Sequence, residues 1–220
     1  MLLALDTSTP LVAAAVHEGG PGGSVLAEGV GEQAMRHGEL LAPLIERVLG
    51  EAGASRADLT GIAVGTGPGP FTGLRVGLVT ARTLGAVLAV PVRGVCSLDA
   101  LAAQALADGL VDGADRFLAA TDARRKEVYL AVYDAGGVRA GDPQVARAMD
   151  LPSEMRAMPC VGPGPRLYPD DLLDARGLEQ PSAGWVARVV ADGLADVTDP
   201  DPLYLRRPDA IAAAARKPVS

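Results

Sequence analysis

Two segments of the chain share a pattern, and this duplication constrains the fold more than any other feature of the sequence. Residues 2–20 read LLALDTSTPLVAAAVHEGG, and residues 118–136 read LAATDARRKEVYLAVYDAG. Aligned without a gap, they coincide at the first leucine, at Asp6 and Asp122, and at the closing glycine. Each segment is typical of a strand that ends in an aspartate, a tight turn and a returning strand. The pattern predicts two lobes built on one plan; the alternative is that any two short β-hairpins look alike.

The rest of the first half alternates between strand and helix signals. Strands are expected at 2–5, 12–17, 24–30, 62–64 and 92–95, and helices at 33–49, 74–88 and 97–107. Ser97 is expected to cap the last helix. A strand, a helix and a strand in succession imply a parallel crossover. We therefore expect an α/β chain with an N-terminal lobe over 1–103 and a C-terminal lobe over 104–220, whose tail returns to the first lobe.

The charge balance argues against independent binding of nucleic acid. The 220 residues carry a formal net charge of −7, and only 3% of them are aromatic. Phosphate binding depends on Lys and Arg, and recognition of single-stranded RNA uses aromatic stacking. If RNA is involved, another subunit should hold it.

The N-terminus and the two cysteines favour a reducing compartment inside the cell. The opening MLLALDTST has neither a basic region nor a cleavage site of the kind found in signal peptides. We expect no apolar run to be long enough to cross a bilayer. Cys96 and Cys160 lack the paired spacings of zinc or redox motifs, and both are expected to be ordinary buried thiols. A cytoplasmic protein is the expectation.

The duplicated aspartates indicate a cleft between the two lobes. In an actin-like ATPase fold, two such hairpins face each other, their turns contact phosphates, and their aspartates orient a metal or its waters. The candidate nucleotide-binding residues are therefore Asp6, Thr7, Ser8 and Asp122. The alternative is that the hydroxyl groups only bond the nearby backbone. The second turn, residues 123–126, is basic and could attract phosphate or could be a solvated hairpin tip.

A glycine-rich run follows the predicted strand at 62–64 and opens the next helix. Residues 65–77 read GTGPGPFTGLRVG. Exposed N–H groups and the helix dipole favour an anion at such a place. The run is not a Walker A loop and does not fit the dinucleotide fingerprint. On spacing alone it is a rigid turn that could bind an anion.

Four segments together carry a resemblance to a known family. The chain closely resembles the TsaB (YeaZ) family in the segments GTGPGPFTGLRVGLVTARTLG, LLALDTST, MRHGELLAPLIERVL and PLYLRRPDA. The resemblance extends over nearly the whole chain. The resemblance implies an actin-like ATPase fold with two ribonuclease-H-like lobes and mixed sheets. It also implies a superfamily shared with TsaD, the subunit that transfers a threonylcarbamoyl group to adenosine 37 of transfer RNA. TsaB is the non-catalytic partner that TsaD needs, and the ATPase TsaE joins them.

One missing histidine supports that implication. A TsaD-like enzyme carries a His-x-x-x-His pair on its first long helix, and the pair holds the catalytic metal. Here His37 is present, but the partner position is Leu41. The other histidine, His17, has no matching spacing. We therefore expect no metal site and no catalytic residue in this chain.

The resemblance also implies that the first two long helices pack against their counterparts in a TsaD-type partner. The residues expected at that interface are Met35, His37, Leu41, Leu44, Val48, Arg75, Leu78 and Arg82. The alternative is that both helices only cover their own sheet. A homodimer that uses the same patch in the absence of the partner is a further expectation.

Nucleotide binding is expected to be weak. Better phosphate loops in this superfamily carry a glycine between the aspartate and the threonine, whereas Thr7-Ser8-Thr9 stands here. ATP or ADP would bind this chain weakly or at the partner interface. The alternative function is an ATP-dependent transferase or kinase that uses Asp6 and Asp122. A metallopeptidase is disfavoured because His-Glu-x-x-His is missing. No chemistry follows from the C-terminal PLYLRRPDA segment.

Overall fold

The protein has two mixed β-sheets. The computed structural model describes residues 1–31 and 37–206, with only the backbone of His37. The first sheet contains the strands β1 (Leu2–Asp6), β2 (Ala13–His17), β3 (Val25–Val30), β4 (Gly61–Gly67) and β5 (Val92–Cys96). The second contains β6 (Arg116–Arg124), β7 (Glu127–Asp134), β8 (Gln144–Arg147), β9 (Pro159–Val161) and β10 (Asp174–Ala175). A short strand, β11 (Val197–Thr198), completes the first sheet.

The two sheets follow the same plan. Their strand orders are β5-β4-β1-β2-β3 and β10-β9-β6-β7-β8. In each half the first strand pairs antiparallel with the second, Leu2 facing His17 and Leu118 facing Val132, and parallel with the fourth. The duplication that the sequence pattern predicts is therefore present in the topology. The expected actin-like α/β fold with mixed sheets is confirmed.

Burial explains why these segments form strands. All five residues of β1 and all seven of β4 are buried, so both strands are covered on their two faces and are apolar almost throughout. By contrast, the first four residues of the edge strand β3 alternate between half-buried and exposed.

Two long helices cover one face of the first sheet. They are α1 (His37–Glu51) and α2 (Phe71–Leu88), and α2 begins three residues earlier than expected. The length and composition of α2 would suffice to cross a bilayer, so the expectation that no such run exists was wrong. Here one face of α2 lies in a protein core, because Leu74, Leu78 and Ala81 pack with strand residues Leu3 and Leu5.

The last helix of each half packs on the sheet of the other half. The helix α3 (Ser97–Ala107) leaves the first sheet and contacts β6, β7 and β9. Between β8 and β10 lie two short helices, α4 (Ser153–Arg156) and α5 (Gly164–Leu167). The helix α6 (Ala183–Asp192) then returns to the first sheet, where β11 pairs antiparallel with β5. This exchange joins the two halves into one molecule.

Candidate functional site

A cleft lies between the two hairpins, where the duplicated pattern predicts it. The cavity has a volume of about 320 Å³. Ser8 and Thr9 of the first turn lie on one side, and Thr121 and Asp122 of the second hairpin lie on the other. Of the four residues predicted to bind a nucleotide, Ser8 and Asp122 line this cavity, whereas Asp6 and Thr7 are buried and do not line it.

The Asp6 carboxylate is bound within the protein. One oxygen, Oδ1, accepts hydrogen bonds from the backbone N–H of Ser8 at 2.7 Å and from its hydroxyl at 2.6 Å. The other, Oδ2, accepts a hydrogen bond from the Ser97 hydroxyl at 2.6 Å. Asp6 is only 3% exposed. A metal or its waters would therefore have to share this carboxylate with the Ser8 and Ser97 donors.

Ser97 has a different role from the one expected. The residue before it, Cys96, holds the N-cap position of α3, and Ser97 is the first residue of the helix. Its hydroxyl reaches across to Asp6 instead of bonding the first turn of α3. A serine directly after a strand indicated a cap, but the sequence held no signal for this contact, which joins residues far apart in the chain.

The Thr7 side chain fastens the first turn to α2. Its hydroxyl donates a hydrogen bond to the Gly73 carbonyl at 2.9 Å and accepts one from the Gly77 N–H at 3.1 Å. Thr7 is fully buried. A Cβ at Gly77 would lie 2.5 Å from the Thr7 hydroxyl oxygen, so this approach requires glycine.

The glycine-rich run fills the space behind the first turn. A Cβ at Gly65 would collide with the Asp6 carboxylate, and one at Gly69 would collide with the Ser8 backbone. The N–H of Leu203 donates to the Thr66 carbonyl at 2.9 Å, so a later segment of the chain also lies over the run. These contacts support the rigid-turn interpretation of the run over the anion-binding one.

The structure corrects half of the predicted partner interface. The side chains of Leu41, Leu44, Val48 and Leu78 are 2%, 5%, 0% and 3% exposed and belong to the core under the first sheet. They cover their own sheet, so the stripe of apolar residues faces inward and cannot contact a partner. Charged residues at Leu41 and Leu44 are therefore expected to disrupt folding.

The other predicted interface residues have different surroundings. Arg75 is exposed, and its guanidinium lies 5.0 Å from the centre of the Phe71 ring. Arg82 is exposed and forms an ion pair with Asp201. Met35 lies outside the described residues, and His37 is described only as the first residue of α1.

The outward faces of α1 and α2 carry a mixed apolar and charged surface. On α2, Val79 and Val87 are 59% and 75% exposed. Pro43 and Glu46 are exposed on the neighbouring α1. The exposed surface of the two helices is therefore formed by residues of this kind and not by the buried stripe.

The C-terminal segment that the sequence left without a role connects both halves. We call residues 199–206 the strap. The Tyr204 ring packs on Phe71 of α2 at 4.9 Å between ring centres. Arg206 donates a hydrogen bond from Nη1 to the Ala123 carbonyl at 2.7 Å and forms an ion pair with Glu127. The strap therefore runs from the glycine-rich run to the second hairpin.

A second buried polar cluster escaped the sequence analysis. Asp99 of α3 accepts hydrogen bonds from the Tyr133 hydroxyl at 2.7 Å and from Arg139 Nη1 at 2.7 and 2.8 Å to its two oxygens. Burial raises the pKa of Asp99 above its ordinary value, and the bonds from Tyr133 and Arg139 oppose that shift. Burial also raises the pKa of the nearby Cys96 thiol to about 12. The cluster fixes α3 on the second sheet.

The described residues offer no metal site. Across 1–31 and 37–206, no group of three or more His, Cys, Asp or Glu side chains is placed to hold a metal ion. His17 is fully buried, and its Nδ1 accepts a hydrogen bond from the Gly19 N–H at 2.9 Å.

Comparison with known proteins identifies the family. Residues 25–177 match the family described as "TsaD: tRNA N6-adenosine threonylcarbamoyltransferase". An uncharacterized protein of Mycobacterium tuberculosis is 40% identical over 225 residues, covering 95% of this chain and 93% of the relative. The structure of YeaZ from Pseudomonas aeruginosa superposes with a TM-score of 0.72 at 30% identity, covering 93% of this chain and 99% of that one. The chain belongs to the TsaB (YeaZ) family.

Relatives with assigned roles show the process in which the TsaB family works. The Escherichia coli tRNA threonylcarbamoyladenosine biosynthesis protein TsaB is 38% identical over 108 residues, covering 48% of this chain and 46% of the relative. The TsaB family takes part in the biosynthesis of threonylcarbamoyladenosine in tRNA, and the match over residues 25–177 relates it to TsaD. The sequence-based resemblance is confirmed.

Proposed function

We propose that this chain is the non-catalytic partner subunit that a TsaD-type transferase requires to install threonylcarbamoyl on adenosine 37 of tRNA. It would act in the cytoplasm, together with a TsaE-type ATPase. The observation that carries the proposal is the position of Leu41, where a TsaD-like enzyme has its second metal-binding histidine. Leu41 is 2% exposed and lies in the apolar core under the sheet. A leucine side chain has no donor atom, so this position cannot supply a metal ligand.

The hydrogen bonds of Asp6 support the proposal against an ATP-dependent transferase or kinase. Such an enzyme would need this carboxylate to orient Mg²⁺, and here the cation or its waters would compete with three hydrogen bonds that Ser8 and Ser97 donate to it. The cleft of about 320 Å³ lies at the lower end of the usual range for small-molecule sites. In this proposal ATP or ADP binds weakly in the cleft or at the partner interface, and no cofactor is held tightly.

The docking surface in this proposal is the outward face of α1 and α2. It presents the exposed apolar side chains of Val79 and Val87 beside charged residues, a composition that suits a protein interface. Two helices of 15 and 18 residues can supply the roughly 800 Å² that a standard interface buries on each partner. A homodimer of the isolated chain would use the same face.

A reconstituted assay tests the proposed function. Purified TsaD-type and TsaE-type proteins are supplied with threonylcarbamoyl-adenylate and tRNA, with and without this chain. We expect modification of tRNA only when the chain is present, and neither modification nor ATP turnover by the chain alone. Equal modification without the chain would refute the proposal. Tight Mg-ATP binding with turnover by the isolated chain would support the kinase alternative.

The homodimer has its own test. Size-exclusion chromatography of the isolated chain should show a dimer that is replaced by a heterocomplex when the TsaD-type protein is added. A homodimer that persists unchanged beside the bound transferase would show that the two contacts use different surfaces.

A further inference from the structure

The turn between β6 and β7 combines an unusual backbone with a run of positive charge. Arg124, Arg125 and Lys126 are all exposed, and their φ angles are +61°, +56° and +64°. Arg125 and Lys126 form a two-residue hairpin turn with both φ angles positive, which is the pattern of a type I′ turn. Asn-Gly is the usual sequence there, because L side chains disfavour this conformation. Turn geometry therefore does not explain why three basic residues occupy these positions.

Contacts on both sides fix the turn. The Asp122 carboxylate accepts a hydrogen bond from the Arg124 N–H at 2.7 Å. The strap reaches the same place, where Arg206 bonds the Ala123 carbonyl at 2.7 Å and pairs with Glu127. Strained backbone persists only where the surroundings over-determine it, and it is concentrated at functional sites. The fold thus holds three cationic side chains at one exposed position.

The local charge is opposite to the charge of the whole protein. The chain carries a net charge of −7. Around the turn, Arg147 lies opposite Glu127 across the pair of strands β7 and β8, and Arg206 lies at the base of the hairpin. The Asp122 carboxylate accepts the bond from the Arg124 N–H, and Glu127 pairs with Arg206. The turn places three consecutive basic residues in one exposed patch of an acidic protein.

We propose that residues 124–126 contact phosphate groups of the tRNA backbone in the assembled complex. The inference rests on the proposed function, since it presumes that this chain and the tRNA meet there. Guanidinium groups suit phosphate because their N–H donors form two parallel hydrogen bonds with its oxygens. The net charge still requires another subunit to supply most of the affinity. The turn adds a local contact that needs no base recognition and carries no sequence specificity.

Salt dependence of tRNA binding provides the test. The complex of TsaD-type and TsaE-type proteins is assembled with the wild-type chain or with the R124A/R125A/K126A variant. The Kd for an unmodified substrate tRNA is then measured between about 0.05 and 0.2 M KCl, because phosphate contacts are sensitive to salt in this range. The logarithm of the association constant falls as the logarithm of the salt concentration rises, and each lost phosphate contact should reduce the steepness of this dependence by about 1. We expect the slope to fall by about 3 and the Kd to rise roughly 10-fold or more at 0.15 M salt.

A matched variant controls for the change in net charge. R93A/R116A/R176A removes three exposed arginines from other parts of the surface, so the charge of the chain changes by the same amount. We expect its slope to stay within about 0.5 of the wild-type value, because long-range charge effects are screened at these salt concentrations. Equal effects of the two triple variants would overturn the inference.

A second variant separates binding from folding. R125N/K126G places the residues that a type I′ turn prefers and removes two charges. We expect the Tm of the chain to rise by a few degrees, since strain is relieved, while the affinity of the complex for tRNA falls. R124K/R125K, which keeps the charges, should retain most of the wild-type salt slope. A rise in Tm with unchanged tRNA affinity would overturn the inference.

The failures of the two proposals can be distinguished. If tRNA modification does not need the wild-type chain at all, the proposed function fails. If modification needs the chain but the R124A/R125A/K126A complex keeps its tRNA slope, only the phosphate contact fails. If that variant instead loses affinity for the TsaD-type protein, measured without tRNA, the patch binds an acidic protein surface and the inference is overturned.

Discussion

The two halves of the molecule share a sheet and differ in what lies on it. The first half carries helices of 15 and 18 residues between β3 and β5. At the same places in the second half, between β8 and β10, the helices have four residues each. The strand order is the same in both, so the sheet does not depend on long helices at these positions. The proposed function places the partner surface on the outward side of these two long helices of the first half.

The two hairpin turns differ in the same sense. In the first half, Asp6, Thr7 and Ser8 are buried against the glycine-rich run. In the second half, Asp122 is half-buried and the three basic residues that follow it are exposed. The first turn is thus buried in the protein, whereas the second turn is exposed at the surface. The aspartates that the sequence pattern pairs are not equivalent in the protein.

The largest difference in the free energy of unfolding is expected between substitutions on the buried and the exposed face of α1. Leu41→Asp places a charge in the apolar core, and we expect it to lower the free energy of unfolding by more than about 4 kcal/mol or to prevent folding. Ala42→Asp, on the neighbouring exposed position, should change it by less than about 0.5 kcal/mol. Urea denaturation followed by circular dichroism measures both. Similar losses at the two positions would contradict the assignment of the faces.

A smaller effect should separate the two aspartates. Asp6→Ala leaves the Ser8 and Ser97 hydroxyls buried without their acceptor, and we expect a loss of about 3 kcal/mol. Asp122→Ala removes a single bond to the backbone of an exposed turn, and about 1 kcal/mol or less should be lost. The same denaturation experiment measures the difference. If the Asp122 variant is the less stable one, the two turns have been assigned the wrong way round.

The polar cluster that fixes α3 should give an effect of about 2 kcal/mol. Arg139→Met removes a partly exposed partner from a buried carboxylate, and Asp99 then keeps only the Tyr133 bond. Tyr133→Phe should cost about 1 kcal/mol. In a double-mutant cycle, the two changes should not be additive because they share Asp99. Additive losses would mean that the three residues do not act as one cluster.

The smallest effect concerns the two thiols. Burial raises the pKa of both Cys96 and Cys160 from 9.0 to about 12. At pH 8 both thiols are protonated, so iodoacetamide should label neither in the folded protein and both after denaturation. Because the pKa of each thiol is higher in the folded protein than in the unfolded chain, the contribution of the two protonated thiols to the free energy of unfolding is complete below pH 9. It is lost as the pH rises from 9 towards about 12. Rapid labelling of the folded protein at pH 8 would contradict this burial.

Sequence patterns predicted the secondary structure and the duplicated topology well, but they predicted side-chain contacts poorly. The spacing of Leu41, Leu44 and Val48 correctly placed them on one helix face, but periodicity does not reveal what covers that face. The core of the chain's own lobe covers it. The duplicated pattern likewise predicted a cleft with Ser8 and Asp122, both of which line it.

The missed contacts join residues that are distant in the chain. Ser97 bonds Asp6, and Arg206 bonds the turn after β6. Neither pair has a local spacing that could indicate it. The basic residues at 124–126 were visible in the sequence, but their positive φ angles follow only from the hairpin register.

The measurement that tests the docking role most directly is the affinity of the TsaD-type transferase for surface variants of this chain. Isothermal titration compares the wild-type chain with V79D/V87D, which alters the outward face of α2, and with V138D, an equally exposed valine of the second half. We expect V79D/V87D to weaken binding roughly 100-fold or more, since charge at the centre of an interface costs several kcal/mol. The V138D variant should bind like the wild type. Normal binding by a folded V79D/V87D variant would contradict the claim that the first half carries the partner surface.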